Sequence, residues 1–180
     1  NYKYSYSKKK ISRYKKFSNI RIIGMGGSIL GSEAIYSFLK QKIKKKLTFV
    51  NNINSNAEYF KDKNINLNLI ISKSGNTLET IANSNTLIKS RDSNIIITED
   101  KVSYLKNLAS KLKAEIFEHK NYVGGRYSVL SEVGMLPAEL MNLNECKFKQ
   151  LNYLIKSKTF VNNLVNNVAS TLNLIKGGKY

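Results

Sequence analysis

The sequence predicts an α/β three-layer sandwich: a five-stranded parallel sheet flanked by helices, with a helical C-terminal extension. Three observations predict it. Short, β-branched apolar runs alternate with helix-spaced segments roughly four times, the pattern of a parallel sheet with helices on both faces. Those runs are nearly continuous in apolar residues, as in strands covered on both sides. Two of them lead directly into turns rich in glycine and hydroxyls, Gly24-Met25-Gly26-Gly27-Ser28 and Ser72-Lys73-Ser74-Gly75-Asn76-Thr77. Both turns therefore lie at the carboxyl edge of the sheet, where open α/β folds collect their ligands.

Residues 1–19 are a lead-in with seven basic residues, no acid, and tyrosines at 2, 4, 6 and 14. Alternation of tyrosine with Lys and Ser suits an exposed strand, while Ile11, Tyr14 and Phe17 have helical spacing and predict a short helix near its end. Ile20-Arg21-Ile22-Ile23 is the first strand. A helix over 28–44 follows, burying Ile29, Leu30, Ala34, Ile35, Phe38 and Leu39. Leu47-Thr48-Phe49-Val50 is the second strand, then come a polar loop and a short helix over 57–62. Leu67-Asn68-Leu69-Ile70-Ile71 is the third strand, followed by a helix over 78–89. Asn94-Ile95-Ile96-Ile97-Thr98 is the fourth, with a helix over 102–111, and Ala114-Glu115-Ile116-Phe117 is the fifth. A helical pattern over 129–141 contains Pro137, which predicts a kink or a break. From Phe148 the apolar spacing predicts one or two amphipathic helices. The organisation expected is a lead-in (1–19), a domain (20–142) and a helical extension (143–180).

Composition narrows the function. The formal net charge is +18, but lysine outnumbers arginine 26 to 4, whereas readers of bases and phosphates lean on the arginine fork. Asn, Lys, Ile and Tyr make up 79 of the 180 residues, all with A/T-rich codons, so genomic base bias accounts for the basic balance and no nucleic-acid partner is expected. No apolar run approaches the roughly 18 residues of a membrane span, and no membrane partner is expected. The N-terminus lacks the apolar stretch of a signal peptide. One cysteine, Cys146, fits a reducing, cytoplasmic setting, and one histidine and one cysteine are too few for a standard zinc site, so no metal or cofactor is expected.

Three stretches carry candidate chemistry. Ser72, Lys73, Ser74 and Thr77 stand at a strand-to-helix turn, where free N–H groups and the helix dipole favour an anion; the same hydroxyls would equally serve as a helix cap. The Gly24–Gly31 stretch fails as a dinucleotide fingerprint, because Ile29 occupies the third glycine position and no acid ends the second strand. It remains a tight turn, with Gly27 and Ser28 placed for backbone and hydroxyl contacts to a ligand, or a purely structural turn. Gly124-Gly125-Arg126 sets a guanidinium beside two residues without side chains, a fork for oxygen anions or else a flexible turn with a surface arginine. His119 reads as a surface histidine, Glu79 as a first-turn acid favoured by the helix dipole, and Glu132 as a local ion pair or a solvent-facing acid. Cys146 reads as inert.

Together these stretches resemble the glucose-6-phosphate isomerase family, specifically the first of its two sugar-isomerase domains, over roughly residues 18–142. Ile23-Gly24-Met25-Gly26-Gly27-Ser28-Ile29-Leu30-Gly31, residues 72–80, and Val123-Gly124-Gly125-Arg126-Tyr127-Ser128-Val129-Leu130-Ser131 match in order and spacing, and the last is the most specific. The first two are shared with other sugar-isomerase domains, so the alternative is a phosphosugar-binding regulator. The resemblance implies metal-free aldose–ketose isomerisation of glucose 6-phosphate and fructose 6-phosphate, in glycolysis and gluconeogenesis, by a cytoplasmic homodimer. It implies that Ser28, Ser72, Lys73, Ser74 and Thr77 hold the sugar phosphate. Gly27 and Gly125 would line the substrate site, and Arg126 would stabilise the enediolate. Two features depart from the family pattern: Ser74-Gly75-Asn76 replaces the usual Thr and bulky aromatic, and Glu132 replaces a small residue. The family's general base, histidine and lysine belong to its second sugar-isomerase domain, so the chain is expected to be truncated before that domain.

Overall fold

The computed structural model describes residues 2–53 and 67–178; the helix expected over 57–62 lies outside the described residues. Five strands, β1 (Asn19–Gly24), β2 (Lys46–Val50), β3 (Leu67–Ile71), β4 (Ser93–Thr98) and β5 (Glu115–Glu118), form one parallel sheet in the order β2-β1-β3-β4-β5. The helices are α1 (Lys8–Ser12), α2 (Leu30–Leu39), α3 (Leu78–Leu87), α4 (Tyr104–Leu112), α5 (Glu132–Leu140), α6 (Asn152–Lys156) and α7 (Lys158–Lys176). The sandwich is as the sequence predicts. Strand order reverses between β1 and β3, so the two glycine- and hydroxyl-rich turns flank the topological switch point, the crevice where such sheets bind ligands.

The chain divides into two compact units, residues 1–144 and 145–180. In the first, one sheet face presents Ile20, Ile22, Leu67, Leu69, Ile95 and Ile97 to the lead-in, α2 and α5. The opposite face presents Ile23, Ile70 and Ile96 to α3 and α4. One row below these, in register, stand Arg21, Asn68 and Asn94. The Arg21 guanidinium donates to Asn68 Oδ1 (3.1 Å) and the Leu87 carbonyl (3.1 Å), and Asn68 Nδ2 donates to Asp92 Oδ2 (3.1 Å) and Asn94 Oδ1 (2.9 Å). Removing one partner from such a buried charged network typically costs about 3–5 kcal/mol, because the other is left buried and unpaired. In the second unit α7 leaves Phe160, Leu164, Val168 and Leu172 exposed. Among the described residues no helix is long and apolar enough to cross a membrane.

Two helix expectations are corrected. On α2 the inward face carries Ser32, Ile35 and Leu39, with Ile29 buried just before it, while Leu30, Ala34 and Phe38 are exposed. The cause lies on α5, which does not break at Pro137 but runs on to Leu140. Proline lacks the N–H that would satisfy the Val133 carbonyl, and the Ser32 hydroxyl donates to that carbonyl instead (3.1 Å), turning the Ser32 face inward. The second correction concerns where α5 begins. Ser131 caps the helix by accepting from the Val133 N–H, so Val129 and Leu130 belong to a preceding 3₁₀ turn, Gly125–Leu130.

Candidate functional site

The turn after β3 is built from its own hydroxyls. Ser72 Oγ and Thr77 Oγ1 lie 2.8 Å apart, with Ser74 Oγ 3.5 Å from the first and 3.4 Å from the second. Ser72 Oγ accepts from the Gly75 N–H (3.2 Å), and Ser74 Oγ from the Asn76 N–H (3.2 Å). Thr77 holds the cap position of α3, yet its side chain makes no capping bond, so among the described residues the first-turn N–H groups of α3 are left without a side-chain acceptor beside three hydroxyls. Thr77 is thus not the side-chain cap that the sequence equally allowed. Gly75 adopts φ +69°, and a Cβ there would come within 2.8 Å of Thr98 Oγ1 and overlap the Ser103 side chain. Residue 76 fixes the outer rim: Asn76 Oδ1 accepts from the Tyr104 N–H (2.8 Å) and the Gly75 carbonyl from the Leu105 N–H (3.1 Å). That brace ties the turn to the start of α4, 28 residues downstream, a pairing no local sequence signal announces.

The arginine turn depends on distant partners. A Cβ on Gly27 would overlap the Gly125 carbonyl and lie 2.9 Å from the Arg126 nitrogen, so the turn after β1 touches the Gly124-Gly125-Arg126 backbone directly. Ser128 Oγ donates to the carbonyls of Gly125 (2.7 Å) and Gly27 (3.3 Å), clasping the two. Sequence reasoning missed Ser128 as a clasp, although its hydroxyl three residues after Gly125 was a visible signal. Ser28 is half-buried and reaches back over the end of β1, where a Cβ on Gly24 would lie 3.2 Å from Ser28 Cβ and 3.0 Å from the Ile71 carbonyl. Arg126 is exposed and, among the described residues, makes no hydrogen bond or ion pair. A free guanidinium on a clasped backbone is placed to meet negative charge from solvent or ligand.

Lys73 joins the two turns. Its ammonium donates to the Asn121 carbonyl (2.8 Å), in the stem of the arginine turn, and lies 3.5 Å from Glu99. Glu99 is held below the usual carboxylate range by the hydrogen bond from Lys101, with Lys73 acting in the same direction. The ammonium is thus engaged by neighbours.

Two sequence expectations fail here. His119 is not a surface residue: it is 1% exposed, and burial holds its pKa below the ordinary imidazole value, with the Lys73 ammonium acting the same way against the opposing effects of the Lys120 carbonyl, Glu132 and Glu99. Its Nδ1 lies 3.1 Å from the Lys120 carbonyl, which can only accept, so Nδ1 carries the hydrogen and Nε2 of the neutral ring is a buried acceptor with no partner among the described residues. Glu132 neither faces solvent nor forms a local ion pair. It is fully buried, and its oxygens accept from the Tyr2 hydroxyl and from the Ser5 N–H (2.7 Å). The signal for both was tertiary: the lead-in supplies the partners of Glu132, and the His119 backbone N–H donates to the Thr98 carbonyl of the neighbouring strand (2.8 Å).

A family model described as phosphoglucose isomerase matches residues 7–174. The chain belongs to the phosphoglucose isomerase family. Among curated phosphoglucose isomerase relatives, it is 41% identical to the glucose-6-phosphate isomerase of Borreliella afzelii over 139 residues, covering 68% of this chain and 26% of that protein. It is 32% identical to that of Clostridium tetani over 174 residues, covering 78% of this chain and 38% of the relative. The chain therefore spans about a quarter to two-fifths of the length of these relatives. A solved structure of a hypothetical protein from Thermus thermophilus shares the fold, with a TM-score of 0.71 at 22% identity, over 83% of this chain and 41% of that one.

Proposed function

We propose that this chain supplies the substrate-holding part of an aldose–ketose isomerase that interconverts glucose 6-phosphate and fructose 6-phosphate, the step shared by glycolysis and gluconeogenesis. The observation that carries the reading is the direct contact of Gly27 with Gly125, which sets the Arg126 turn beside the phosphate-cradling turns at the β1/β3 switch point. The family membership and the glucose-6-phosphate isomerase relatives support the choice of sugar phosphates.

In this reading Ser28, Ser72, Ser74 and Thr77, with the open first turn of α3 and the Lys73 backbone, hold the phosphate. Gly27 and Gly125 let the sugar approach the backbone, and Arg126 faces the reacting carbons. A base removes the proton on C2 of the open-chain aldose, and the electron pair moves toward the C1 carbonyl oxygen to give an enediolate. Passage of the O2 hydroxyl proton to O1, with return of a proton to C1, leaves the carbonyl at C2. Arg126 stabilises the negative oxygen of that intermediate, a contribution worth about 3–4 kcal/mol for a preorganised group. Within these residues no acid or base is free for the proton transfer at that turn: Glu132 is committed to the lead-in, and His119 is buried in the stem. The base is assigned to the part of the isomerase beyond these residues. We place the enzyme in the cytoplasm, in keeping with the single cysteine of these 180 residues, and as a homodimer.

The test is to add fructose 6-phosphate to the 180-residue chain. Binding that shifts the amide resonances of residues 72–80 and 124–128, without turnover, is expected. Measurable isomerisation by the chain alone would contradict the placement of the base.

A further inference from the structure

The alternating tyrosines of the lead-in have a use that the substrate site leaves unexplained. Tyr2, Tyr4 and Tyr6 form a ladder of rings, 5.5 Å and 4.9 Å between successive centroids, and Tyr6 ends it edge-on to the buried Phe117 of β5 at 6.0 Å. The polar atoms of the same segment reach both stems of the arginine turn. On the entering side, Ser5 Oγ donates to the Glu118 carbonyl (3.0 Å) at the end of β5. On the leaving side, the Tyr4 hydroxyl donates to the Leu130 carbonyl (3.4 Å), and the Tyr2 hydroxyl and Ser5 N–H occupy the two oxygens of Glu132. Residues 2–6 thus span the base of the loop whose tip is Gly124-Gly125-Arg126.

We propose that residues 2–6 are a strap, gripped by the buried Glu132 carboxylate, that holds the two stems of the arginine turn together and so fixes Arg126; Glu132 and Tyr2 are positioning residues. The argument is one of mutual dependence. A fully buried carboxylate is tolerated only while its oxygens are hydrogen-bonded, and the described donors to both oxygens come from the strap. If the strap lets go, Glu132 must reach water, and Glu132 is the first residue of α5, separated only by the Ser131 cap from the 3₁₀ turn that contains Arg126. Burial and the hydrogen bond to Glu132 push the Tyr2 phenol pKa up, so it remains a donor at neutral pH. In the entering stem the His119 backbone N–H donates to the Thr98 carbonyl (2.8 Å) and Lys73 holds Asn121, both ties to the sheet side. The strap's grip on Glu118 adds the tie that joins this stem to the leaving one.

The proposal rests on the role given to Arg126 above, and the experiment keeps the two apart. Tyr2→Phe keeps the ring ladder and removes one hydroxyl; Glu132→Gln keeps the size and removes the charge. Amide hydrogen exchange is followed in the 180-residue chain. Exchange across residues 119–130 is expected to quicken about tenfold or more in both variants, while residues 67–80 stay at the wild-type rate, because losing a hydrogen bond to a charged group favours local opening there. Unchanged exchange in 119–130, or an equal rise throughout, would overturn the strap. A ligand arm uses inorganic phosphate and the hydroxamate of a phosphorylated five-carbon aldonic acid, a planar mimic of the enediolate. Hydroxamate affinity is expected to fall about tenfold in Tyr2→Phe, with phosphate affinity within about twofold. Quickened exchange with unchanged hydroxamate affinity would overturn the claim that the strap positions Arg126. A wild-type chain that binds neither ligand would contradict the sugar-phosphate reading, and the exchange arm would still decide whether the strap holds the turn.

Discussion

The turn after β3 and the turn that carries Arg126 share one edge of the sheet but are held in opposite ways. The first is closed mainly by its own hydroxyls: Ser72, Ser74, Gly75 and Thr77 bond one another within six residues, while Lys73 ties it to Thr98, Glu99 and Asn121 and its rim leans on α4. The second has a 3₁₀ turn and the Ser128 bond to the Gly125 carbonyl of its own, but it leans on distant parts for the rest. Its backbone is clasped by Gly27, about a hundred residues earlier, its stems are bridged by Tyr4 and Ser5, and Asn121 is pinned by Lys73. A turn whose hydroxyls are neighbours in the chain needs few remote parts to form, which suits a group that must only hold a phosphate. A turn assembled from remote parts is fixed only when all of them are in place, which suits a charge that must meet a developing anion within a fraction of an ångström.

If the two turns divide the work in this way, substitutions should separate them. The largest effect is expected from Arg126→Ala, which lowers kcat of the full-length isomerase about 100-fold or more while phosphate affinity changes little, as loss of one stabilising donor does. A kcat within about twofold of wild type would remove Arg126 from the chemistry. Thr77→Val is the smaller and opposite case. It deletes one hydroxyl of the cradle and should weaken inorganic phosphate and fructose 6-phosphate together by about tenfold, the loss of roughly one charged hydrogen bond, measured by titration calorimetry. Equal losses of kcat and phosphate affinity in either variant would mean that the turns do not divide the work.

The same contrast explains what the sequence disclosed. The strands were legible because each is a local apolar run, and the cradle because its hydroxyls are neighbours in the chain. Helix starts were misplaced where a serine cap decides them, at Ser103 and Ser131. The inward face of α2 was misread because it is set by a serine answering a carbonyl that a proline about a hundred residues later leaves open. Glu132 and His119 were misread for a related reason: an acid and a histidine in a polar stretch look solvent-facing until distant parts of the chain meet them, the lead-in at Glu132 and the end of β4 at His119. The polar row Arg21, Asn68 and Asn94 shows the converse, three polar residues inside apolar strands that tolerate burial because register brings them side by side.

Titration of the 180-residue chain with inorganic phosphate, followed by amide chemical shifts, tests the division most directly. The predicted result is a saturable shift of Ser74, Gly75, Thr77 and the first turn of α3, with Gly125 and Arg126 nearly unmoved until the hydroxamate replaces phosphate. Phosphate that shifted the Arg126 turn first, or left Ser74 and Thr77 in place, would contradict it.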